Sequence, residues 1–435
     1  MGEWVLRPIP FLERCRRRYG DFFTVKFVIG EIVWIADPQV IKQVFTGSPE
    51  TLHAGEANAP PLEPIMGKHS VLLLDGPEHM RQRKLMLPSF HGERMQGYTG
   101  LIAEVTEREI DRWPVGTPFG LRERTQEITL QVIMRAVFGI RDSERLELFH
   151  ERLGNMLDIG TDQLAMAGIA FPALRRTIGK GKWDKFMRLR KEADELIYDE
   201  IASRRDDPST NERDDVLSVL LQARDEEGRA MTDVELRDEL MTLLVAGHET
   251  TATSLAWAFD LLLHNPDKLE RLRAELEDDG GGGDYLDAVI KETLRIRPVV
   301  PGVVRKVKEP FELRGYEIPV GTRVAPNIYL THRNPDVFPE PDLFRPERFL
   351  DEPPDTYSWI PFGGGIRRCI GASFALLEMK VVIPTILRSV ELETASPAPE
   401  RIRRRAITFA PENDALVVVK RKATRTGAPA PALAA

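Results

Sequence analysis

The chain reads FGGGIRRCIG from Phe362 to Gly371, directly before an apolar stretch with helical periodicity. Cys369, one of only two cysteines, lies here among four glycines and two arginines. Glycine loses more backbone entropy on folding than any other residue, so this density indicates a backbone that approaches something large and flat. A cysteine at a helix N-terminus has a stabilised thiolate, because free backbone N–H groups and the helix dipole favour negative charge there. The stretch therefore predicts a loop that offers a thiolate ligand.

Two interpretations of this loop differ in what the cysteine does. A lone cysteine beside a glycine-rich turn is usually a buried structural residue. Here the spacing F-G-x-G-x-R-x-C-x-G fixes six positions, and its chance occurrence in this chain is on the order of 10⁻⁵ or less. Thiolate is a soft, strongly donating ligand suited to iron, and an arginine two residues earlier can bind a carboxylate bidentately. The spacing favours a cofactor site.

At these residues the chain resembles the cytochrome P-450 family, the haem-thiolate monooxygenases. The resemblance implies that Cys369 is the proximal ligand of the iron in haem b and that Arg367 binds a haem propionate. Phe362, Gly365 and Gly371 belong to the same motif and are expected to contact the cofactor. The resemblance also implies the fold of the family, which is mainly α with small β-sheets. A single large domain holds the haem between a long central helix and the cysteine loop.

The organisation of the chain agrees with that architecture. We expect an N-terminal segment over 1–18, the haem domain over 19–420, and a Pro/Ala-rich tail over 421–435 that is disordered. The Gly280–Gly283 run predicts a surface connection, because no apolar strand precedes it. Apolar periodicity predicts helices over Val40–Thr46, His79–Leu87, Leu101–Trp113, Leu121–Phe138, Ser143–Met156, Trp183–Arg205, Asp233–His264, Tyr285–Ile296 and Gly371–Ile383. Alternating β-branched and aromatic residues predict strands over Phe22–Phe27, Glu31–Ala36, Phe311–Leu313, Tyr316–Ile318, Thr322–Asn327 and, as a closing hairpin, Ile407–Phe409 with Ala415–Val419.

The longest predicted helix, Asp233–His264, has clear signals at both ends. Thr232 and Glu235 form a capping box at its start, and Asn265-Pro266 ends it. Roughly nine turns are long enough to cross the molecule. By contrast, Pro384 leaves the end of the last predicted helix open, because proline removes an interior hydrogen bond.

The middle of the long helix carries a second motif, AGHETT, from Ala246 to Thr251. Glycine and threonine weaken a helix centre, and two explanations remain open. One is close helix packing with threonine hydroxyls bonded back to carbonyls; the other is a locally widened helix beside the iron. The resemblance assigns Ala246 and Gly247 to an oxygen-binding groove, and Glu249 and Thr250 to proton delivery, which dioxygen cleavage requires. His248 is expected to be a neighbour of the groove and not a ligand.

A third motif is Glu292-Thr293-Leu294-Arg295, followed downstream by Pro346-Glu347-Arg348-Phe349. Glu292 and Arg295 share a helix face at spacing i, i+3, which alone usually indicates a solvated surface pair. The resemblance implies that Arg348 completes a buried network with them that supports the cysteine loop. We expect a structural role for all three.

Further cationic residues are expected around the haem propionates. His79 and Arg83 lie at spacing i, i+4 on one predicted helix face and resemble the H-x-x-x-R pair of the family. Arg305, in VVPGVVRKV, matches another propionate-binding arginine. Four cations around two buried carboxylates would be well compensated.

The substrate is expected to be a hydrophobic small molecule, because the residues that would line the distal pocket are mostly apolar. Fatty acid, terpenoid, steroid and polyketide all remain open. The stretch from residue 157 to 182 is either plain core or, as we favour, a mobile lid over the substrate channel. The pocket candidates are Leu72, Leu243, Leu244, Val300, Val303 and Phe409.

Composition restricts the partners. The net charge is −8 with a pI near 5.7, which offers no argument for nucleic acid or an anionic membrane. Few cysteines, no run of about 18 apolar residues and no signal peptide lead us to expect a cytoplasmic protein without a membrane anchor.

Monooxygenation needs two electrons and O2, yet the sequence has no flavin or nicotinamide fingerprint. We therefore expect an external ferredoxin or flavodoxin with its NAD(P)H-dependent reductase. Positive charge near the cysteine could guide an acidic donor, although solvated or propionate-bound cations explain it equally well; these residues are Arg81, Arg83, Lys84, Arg367 and Arg368. The alternatives are a peroxide-driven peroxygenase, a family member that catalyses isomerisation or dehydration, and a haem-thiolate sensor without turnover.

Overall fold

The computed structural model describes residues 2–27, 30–92, 94–160, 180–278, 283–351 and 353–423. The predicted tail beyond residue 423, most of the predicted lid and most of the glycine run lie outside the described residues. The helices in the described part are α1 Gly2–Leu6, α2 Pro8–Tyr19, α3 Pro38–Thr46, α4 Ala54–Met66, α5 Gly76–Met86, α6 Arg94–Asp111, α7 Leu121–Ala136, α8 Ser143–Gly160, α9 Lys180–Asp206, α10 Val216–Gln222, α11 Asp233–Leu263, α12 Pro266–Asp278, α13 Asp284–Ile296, α14 Ile328–Thr331, α15 Arg348–Asp351 and α16 Ala372–Ser389.

The strands form small sheets, of which the largest has five strands in the order β1-β2-β8-β5-β3. In it β1 and β2 are an antiparallel hairpin, and β2 pairs with β8 in parallel. A three-stranded sheet has the order β4-β12-β9, and β10-β11 and β6-β7 are separate pairs. The strands are β1 Phe22–Phe27, β2 Gly30–Ile35, β3 Leu52–His53, β4 Phe119–Gly120, β5 Arg305–Val307, β6 Phe311–Leu313, β7 Tyr316–Ile318, β8 Arg323–Pro326, β9 Val390–Thr394, β10 Ile402–Arg405, β11 Thr408–Pro411 and β12 Leu416–Lys422.

The central element is α11, as predicted. The Thr232 hydroxyl accepts a hydrogen bond from the Glu235 N–H at 3.2 Å, and the Glu235 carboxylate accepts one from the Thr232 N–H at 2.8 Å. Most of α11 is buried, and it packs against α4, α7, α9, α13 and α16. Because α16 begins at Ala372, this packing brings the start of α16, just after Cys369, to the core of the molecule.

Two sequence-based predictions about the ends of the chain need correction. The predicted closing hairpin is wrong, because β11 pairs with β10 and β12 pairs with β9. The last helix runs through Pro384 to Ser389, since Pro384 and its apolar neighbours are buried against the core. No described helix is long and apolar enough to cross a membrane.

Candidate functional site

The cysteine loop is held by its own backbone. A short 3-10 turn covers Gly365–Arg367, and the Cys369 N–H donates to the Phe362 carbonyl at 2.9 Å. Cys369 precedes the N-terminus of α16 by two residues, and the Gly371 backbone N–H lies close enough to stabilise its thiolate. These contacts fix the backbone at Cys369.

Two of the loop's glycines are required by protein packing. A Cβ at Gly364 would come within 2.3 Å of the Phe45 ring, and one at Gly365 within 2.0 Å of the Phe45 carbonyl oxygen. Gly365 also has a φ of +63°, which disfavours any side chain. The density of glycines in the sequence predicts a backbone that approaches a large flat group. At Gly364 and Gly365 the group that the backbone approaches is Phe45 of helix α3. At Gly371 a Cβ would meet no protein atom within 4 Å.

Cys369 keeps exposed surface although protein atoms surround it closely. Burial raises the pKa of its thiol, while the Gly371 N–H and the guanidinium groups of Arg83 and Arg368 lower it. An enclosed side chain with exposed surface must face an interior space and not bulk water. The thiol is therefore open on one side to a ligand.

A surplus of positive charge lies beside this loop. Burial and the charges of Arg367, Arg83 and Arg305 lower the pKa of His79 to about 3, so each of the three arginines lies near His79. His79 is 2 % exposed and its Nδ1 atom has no hydrogen-bond partner among the described residues. Burial also lowers the pKa of Arg305 and of Arg367 to about 10. The carboxylate that lies among them is Asp75, so three guanidinium groups leave about two positive charges without compensation.

Arg367 already has protein partners in this cluster. It donates to the Val71 carbonyl at 3.1 Å, to the Leu74 carbonyl and to Asp75 Oδ1 at 2.5 Å. Arg305 donates only to the adjacent Val304 carbonyl at 2.9 Å among the described residues. The predicted propionate partners are therefore together, with Arg305 and His79 less satisfied than Arg367.

One face of the middle of α11 is open while the opposite face is packed. Ala246 is exposed, and Leu243, Gly247 and Thr250 are partly exposed, at a spacing that puts all four on one side of the helix. His248 is 8 % exposed and belongs to the opposite side, where Glu127 on α7 is a charged neighbour. Burial lowers the pKa of His248 to about 4. The open face therefore carries three of the predicted catalytic residues, and His248 is not part of it.

The hydroxyl of Thr250 donates to the Ala246 carbonyl at 2.7 Å. Helix α11 is regular α-helix throughout its described length, so the local widening is not seen. The other explanation holds, in which a threonine hydroxyl bonds back to a carbonyl one turn earlier. Glu249 turns towards α7, where its carboxylate accepts from Gln126 Nε2 at 2.7 Å and from Arg122 Nη1 at 3.2 Å. Burial raises the pKa of Glu249. Ala246 and Thr250 therefore lie on the open face of α11, whereas the Glu249 carboxylate points away from that face towards α7.

The predicted Glu292–Arg295–Arg348 network is present as a set of contacts. Glu292, fully buried, accepts from Arg295 Nε at 2.6 Å and Nη2 at 2.8 Å, and from Arg348 Nε at 3.1 Å. The Arg345 N–H also donates to it at 2.9 Å. Arg295 donates further to the carbonyls of His332 and Pro341 at 2.7 and 2.8 Å. The Glu292 carboxylate is therefore fully paired within the protein, and the second guanidinium, Arg348, also donates to the Pro339 and Glu340 carbonyls.

The pocket candidates divide by burial. Leu72 is 36 % exposed, and Leu243, Val300 and Val303 are partly exposed, so these can border open space. Leu244 and Phe409 do not border open space, so the prediction that they line the pocket is wrong. Leu244 is fully buried on the packed side of α11, and Phe409 is 1 % exposed, with its ring against Tyr329.

Two buried side chains of this region were missed from the sequence. Glu378 on α16 is 2 % exposed, burial raises its pKa to about 8, and the Thr251 hydroxyl lies beside it. Arg122 on α7 joins Glu249 to Asp414. Glu378 could have been noticed from the sequence, because it is the one acidic residue of α16. Arg122 is one of several charged residues at the start of α7, and nothing in the sequence distinguishes it.

These features together define a class of site. The site has a thiol with exposed surface, an open face on α11, and cations near the thiol that carry about two uncompensated positive charges. A flat iron macrocycle with two carboxylates fits these residues, because it would use the thiolate, fill the space beside it and neutralise the charge. No group of three His, Cys, Asp or Glu side chains in the described part could hold a metal ion instead.

Comparison with known proteins agrees with this class. The family model described as Cytochrome P450 matches residues 7–418. Cytochrome P450 135B1 of Mycobacterium tuberculosis is 42 % identical over 415 residues, covering 94 % of this chain and 87 % of the relative. Cytochrome P450 138 of Mycobacterium bovis is 41 % identical over 414 residues, covering 94 % and 91 %. The names of both relatives give a family and a number, and no substrate.

Solved structures show the same fold. The retinoic acid-bound cyanobacterial CYP120A1 has a TM-score of 0.83 at 23 % identity, covering 96 % of this chain and 95 % of that one. The heme domain of cytochrome P450DA has a TM-score of 0.83 at 24 % identity, covering 96 % and 93 %. The chain belongs to the cytochrome P450 family, and its cofactor is haem held by a cysteine thiolate. Members of the family are generally monooxygenases that take electrons from redox partners.

Proposed function

We propose that the chain is a monooxygenase that inserts one oxygen atom of O2 into a hydrophobic small molecule, with Cys369 as the iron ligand. The observation that carries this proposal is the exposed surface of Cys369 inside the protein, next to a cluster with surplus positive charge. When bound, haem supplies the reductive activation of dioxygen and the transfer of one oxygen atom. The thiolate of Cys369 would hold the iron, and His79, Arg83 and Arg305 would bind the propionates. Phe362, Gly365 and Gly371 would shape the loop.

The open face of α11 gives the chain its role in proton transfer. The Thr250 hydroxyl, which donates to Ala246 in the structure, can turn into the groove formed at Ala246 and Gly247 and present its proton there. Glu249 is the acid that replaces this proton, through water. Burial raises the pKa of Glu249, which favours uptake of a proton, and hydrogen bonds from Arg122 and Gln126 hold the carboxylate in place.

The substrate is an apolar molecule of the fatty-acid, terpenoid, steroid or polyketide kind. Support comes from the apolar pocket candidates that keep exposed surface, namely Leu72, Leu243, Val300 and Val303. One structural neighbour is bound to retinoic acid, which is an apolar chain with one carboxylate. Burial of such a molecule supplies its binding energy without a specific polar match.

The electron donor is a ferredoxin or flavodoxin that docks near Cys369. The positive surface for it is smaller than the sequence suggested. Arg81 is paired with Asp225 and Glu235, and Lys84 with Glu226. Arg368 is exposed and is the cation of the loop that remains for such a partner.

Isotope-labelled dioxygen tests the reaction type. Haem-loaded protein is supplied with a donor, its reductase and a substrate that shifts the ferric haem to high spin. We expect one labelled oxygen atom in the product. A peroxygenase would take its oxygen from added peroxide without the reductase, and an isomerase or dehydratase would add none. A haem protein that binds ligands and forms no product under either condition would be a sensor, and the proposal would be abandoned.

A further inference from the structure

His332 was not singled out by any sequence motif, yet it lies between the buried ion network and the cysteine loop. It follows the short helix α14 and is fully buried. Its ring packs edge-on against Phe338, whose other neighbour is the Arg295 guanidinium. The imidazole therefore has one orientation, fixed by packing on a residue that also contacts the network.

The hydrogen bonds of this ring specify one tautomer. Its Nε2 atom is 2.8 Å from the Ile360 N–H, which can only donate, so Nε2 carries no proton. Its Nδ1 atom is 3.2 Å from the Arg295 carbonyl, which can only accept, so Nδ1 carries the proton. Burial and the charge of Arg295 lower the pKa of His332 to about 3, which agrees with a neutral ring. Both ring nitrogens are thus used, and each contacts a different segment.

The two contacts complete a continuous connection. Arg295, which binds Glu292, also donates to the His332 carbonyl at 2.7 Å. On the other side Ile360 begins the turn that leads into the loop, because the Gly363 N–H donates to its carbonyl at 3.0 Å. Two residues after Ile360, the Phe362 carbonyl accepts the Cys369 N–H. Every step between the Glu292 carboxylate and the Cys369 backbone is therefore a hydrogen bond or a covalent bond within a residue or along the chain.

We propose that His332 is a positioning residue for Cys369, which fixes the backbone of Ile360–Phe362 through its unprotonated Nε2 and so holds the sulfur in its direction towards the iron. The inference rests on the proposed role of Cys369. It also gives the buried ion network a specific role. Through Arg295 the network holds His332 in place, so that its Nε2 atom accepts from the Ile360 N–H. Without that acceptor the Ile360 N–H would be buried and unpaired, a cost that the loop can avoid by moving.

Three substitutions separate the contacts of the ring. In His332→Gln the longer amide can still accept from the Ile360 N–H. In His332→Asn the shorter amide can donate to the Arg295 carbonyl but does not reach Ile360. His332→Phe keeps the volume and makes neither bond. Each haem-loaded variant is reduced under carbon monoxide, and the share of the complex with the red-shifted Soret band of thiolate ligation is followed with time.

We expect His332→Gln to retain the band. In His332→Asn and His332→Phe the band should decay at least about tenfold faster than in the wild type, because one buried N–H is left unpaired. Melting of the same samples is followed by circular dichroism. A merely structural residue would lower the melting temperature without separating Gln from Asn in the band. Equal behaviour of these two variants would overturn the proposal, even if His332→Phe does not fold.

His264, at the end of α11, offers a matched control. Its ring also bridges two backbone groups, with Nδ1 at 2.8 Å from the Asp260 carbonyl and Nε2 at 3.2 Å from the Ser396 carbonyl. His264→Phe should lower the melting temperature and leave the decay of the band unchanged. If the wild type itself shows no red-shifted band, the role of Cys369 fails; if the wild type shows it and His332→Asn keeps it, only the positioning role fails.

Discussion

The Thr250 hydroxyl makes a hydrogen bond that the proposed proton transfer would have to break. It donates to the Ala246 carbonyl at 2.7 Å. In Thr250→Ala no hydroxyl is left to present a proton in the groove, while the cysteine loop and the cationic cluster are untouched. We expect full haem content and reducing equivalents diverted to peroxide. Product formed per NAD(P)H and the peroxide released measure this directly.

Thr385→Ala is the matched control for Thr250→Ala. Thr385 on α16 makes the same backward bond, to the Val381 carbonyl at 2.7 Å. Its loss should leave the coupling of electrons to product unchanged. Coupling in Thr250→Ala equal to that of the control would remove Thr250 from proton delivery.

Single residues also show where sequence reasoning reached its limit. Motif spacing singled out Cys369, and the family resemblance added Thr250 and the cations expected around the propionates. The sequence did not show that Glu249 faces α7, since a helix position gives the face but not which neighbouring helix supplies a partner. Nor did it show that Gly364 and Gly365 are required by Phe45, more than 300 residues earlier in the chain.

At the scale of elements, the contact between α13 and the segment before α15 is a buried ion network. Arg295→Leu removes the guanidinium that makes two hydrogen bonds to Glu292, and leaves a buried carboxylate with only Arg348 and one N–H. We expect a loss of about 3–5 kcal/mol in the free energy of unfolding. Urea unfolding of haem-loaded protein measures it.

The paired variant Glu292→Leu/Arg295→Leu separates charge from packing. With both side chains replaced, no incompletely paired carboxylate remains, and Arg348 keeps its bonds to the Pro339 and Glu340 carbonyls. Part of the lost stability should therefore return relative to Arg295→Leu. If the stability lost in the double variant equals the sum of the losses in Glu292→Leu and Arg295→Leu, the two residues act independently.

Elements also differ in how far periodicity predicted them. The helix α11 was predicted within one residue because its capping box and its proline stop are local signals. Helix α4 was missed, since Pro60, Pro61 and Pro64 argue against a helix; burial of Leu62 and Ile65 against the core overrides that preference. The pairing of β12 with β9 joins distant segments, and a local hairpin signal could not predict it.

At the scale of the whole molecule, buried histidines make stability depend on pH. His248 has its pKa lowered to about 4 in the fold, against about 6.5 when unfolded. Between these values the unfolded chain binds a proton that the folded chain does not, so stability is lost as pH falls from 6.5 towards 4. His248→Gln removes this linkage. Its free energy of unfolding, plotted against pH from urea titrations, should fall less steeply than wild type by about 1.4 kcal/mol per pH unit.

The exposed His91 supplies the comparison. His91→Gln makes the same replacement at an exposed position and so controls for the substitution itself. If His248→Gln and His91→Gln show the same slope below pH 6.5, burial does not keep His248 neutral in the fold.

The proposed activity depends on the bond between Cys369 and haem iron. The most direct test is the absorption spectrum of the reduced carbon monoxide complex of the haem-loaded chain, recorded beside Cys369→Ser. We predict the red-shifted Soret band of a thiolate ligand in the wild type and its absence in Cys369→Ser, with haem still able to bind through the propionate cluster. A wild type without this band, or a Cys369→Ser protein that retains it, would contradict the assignment.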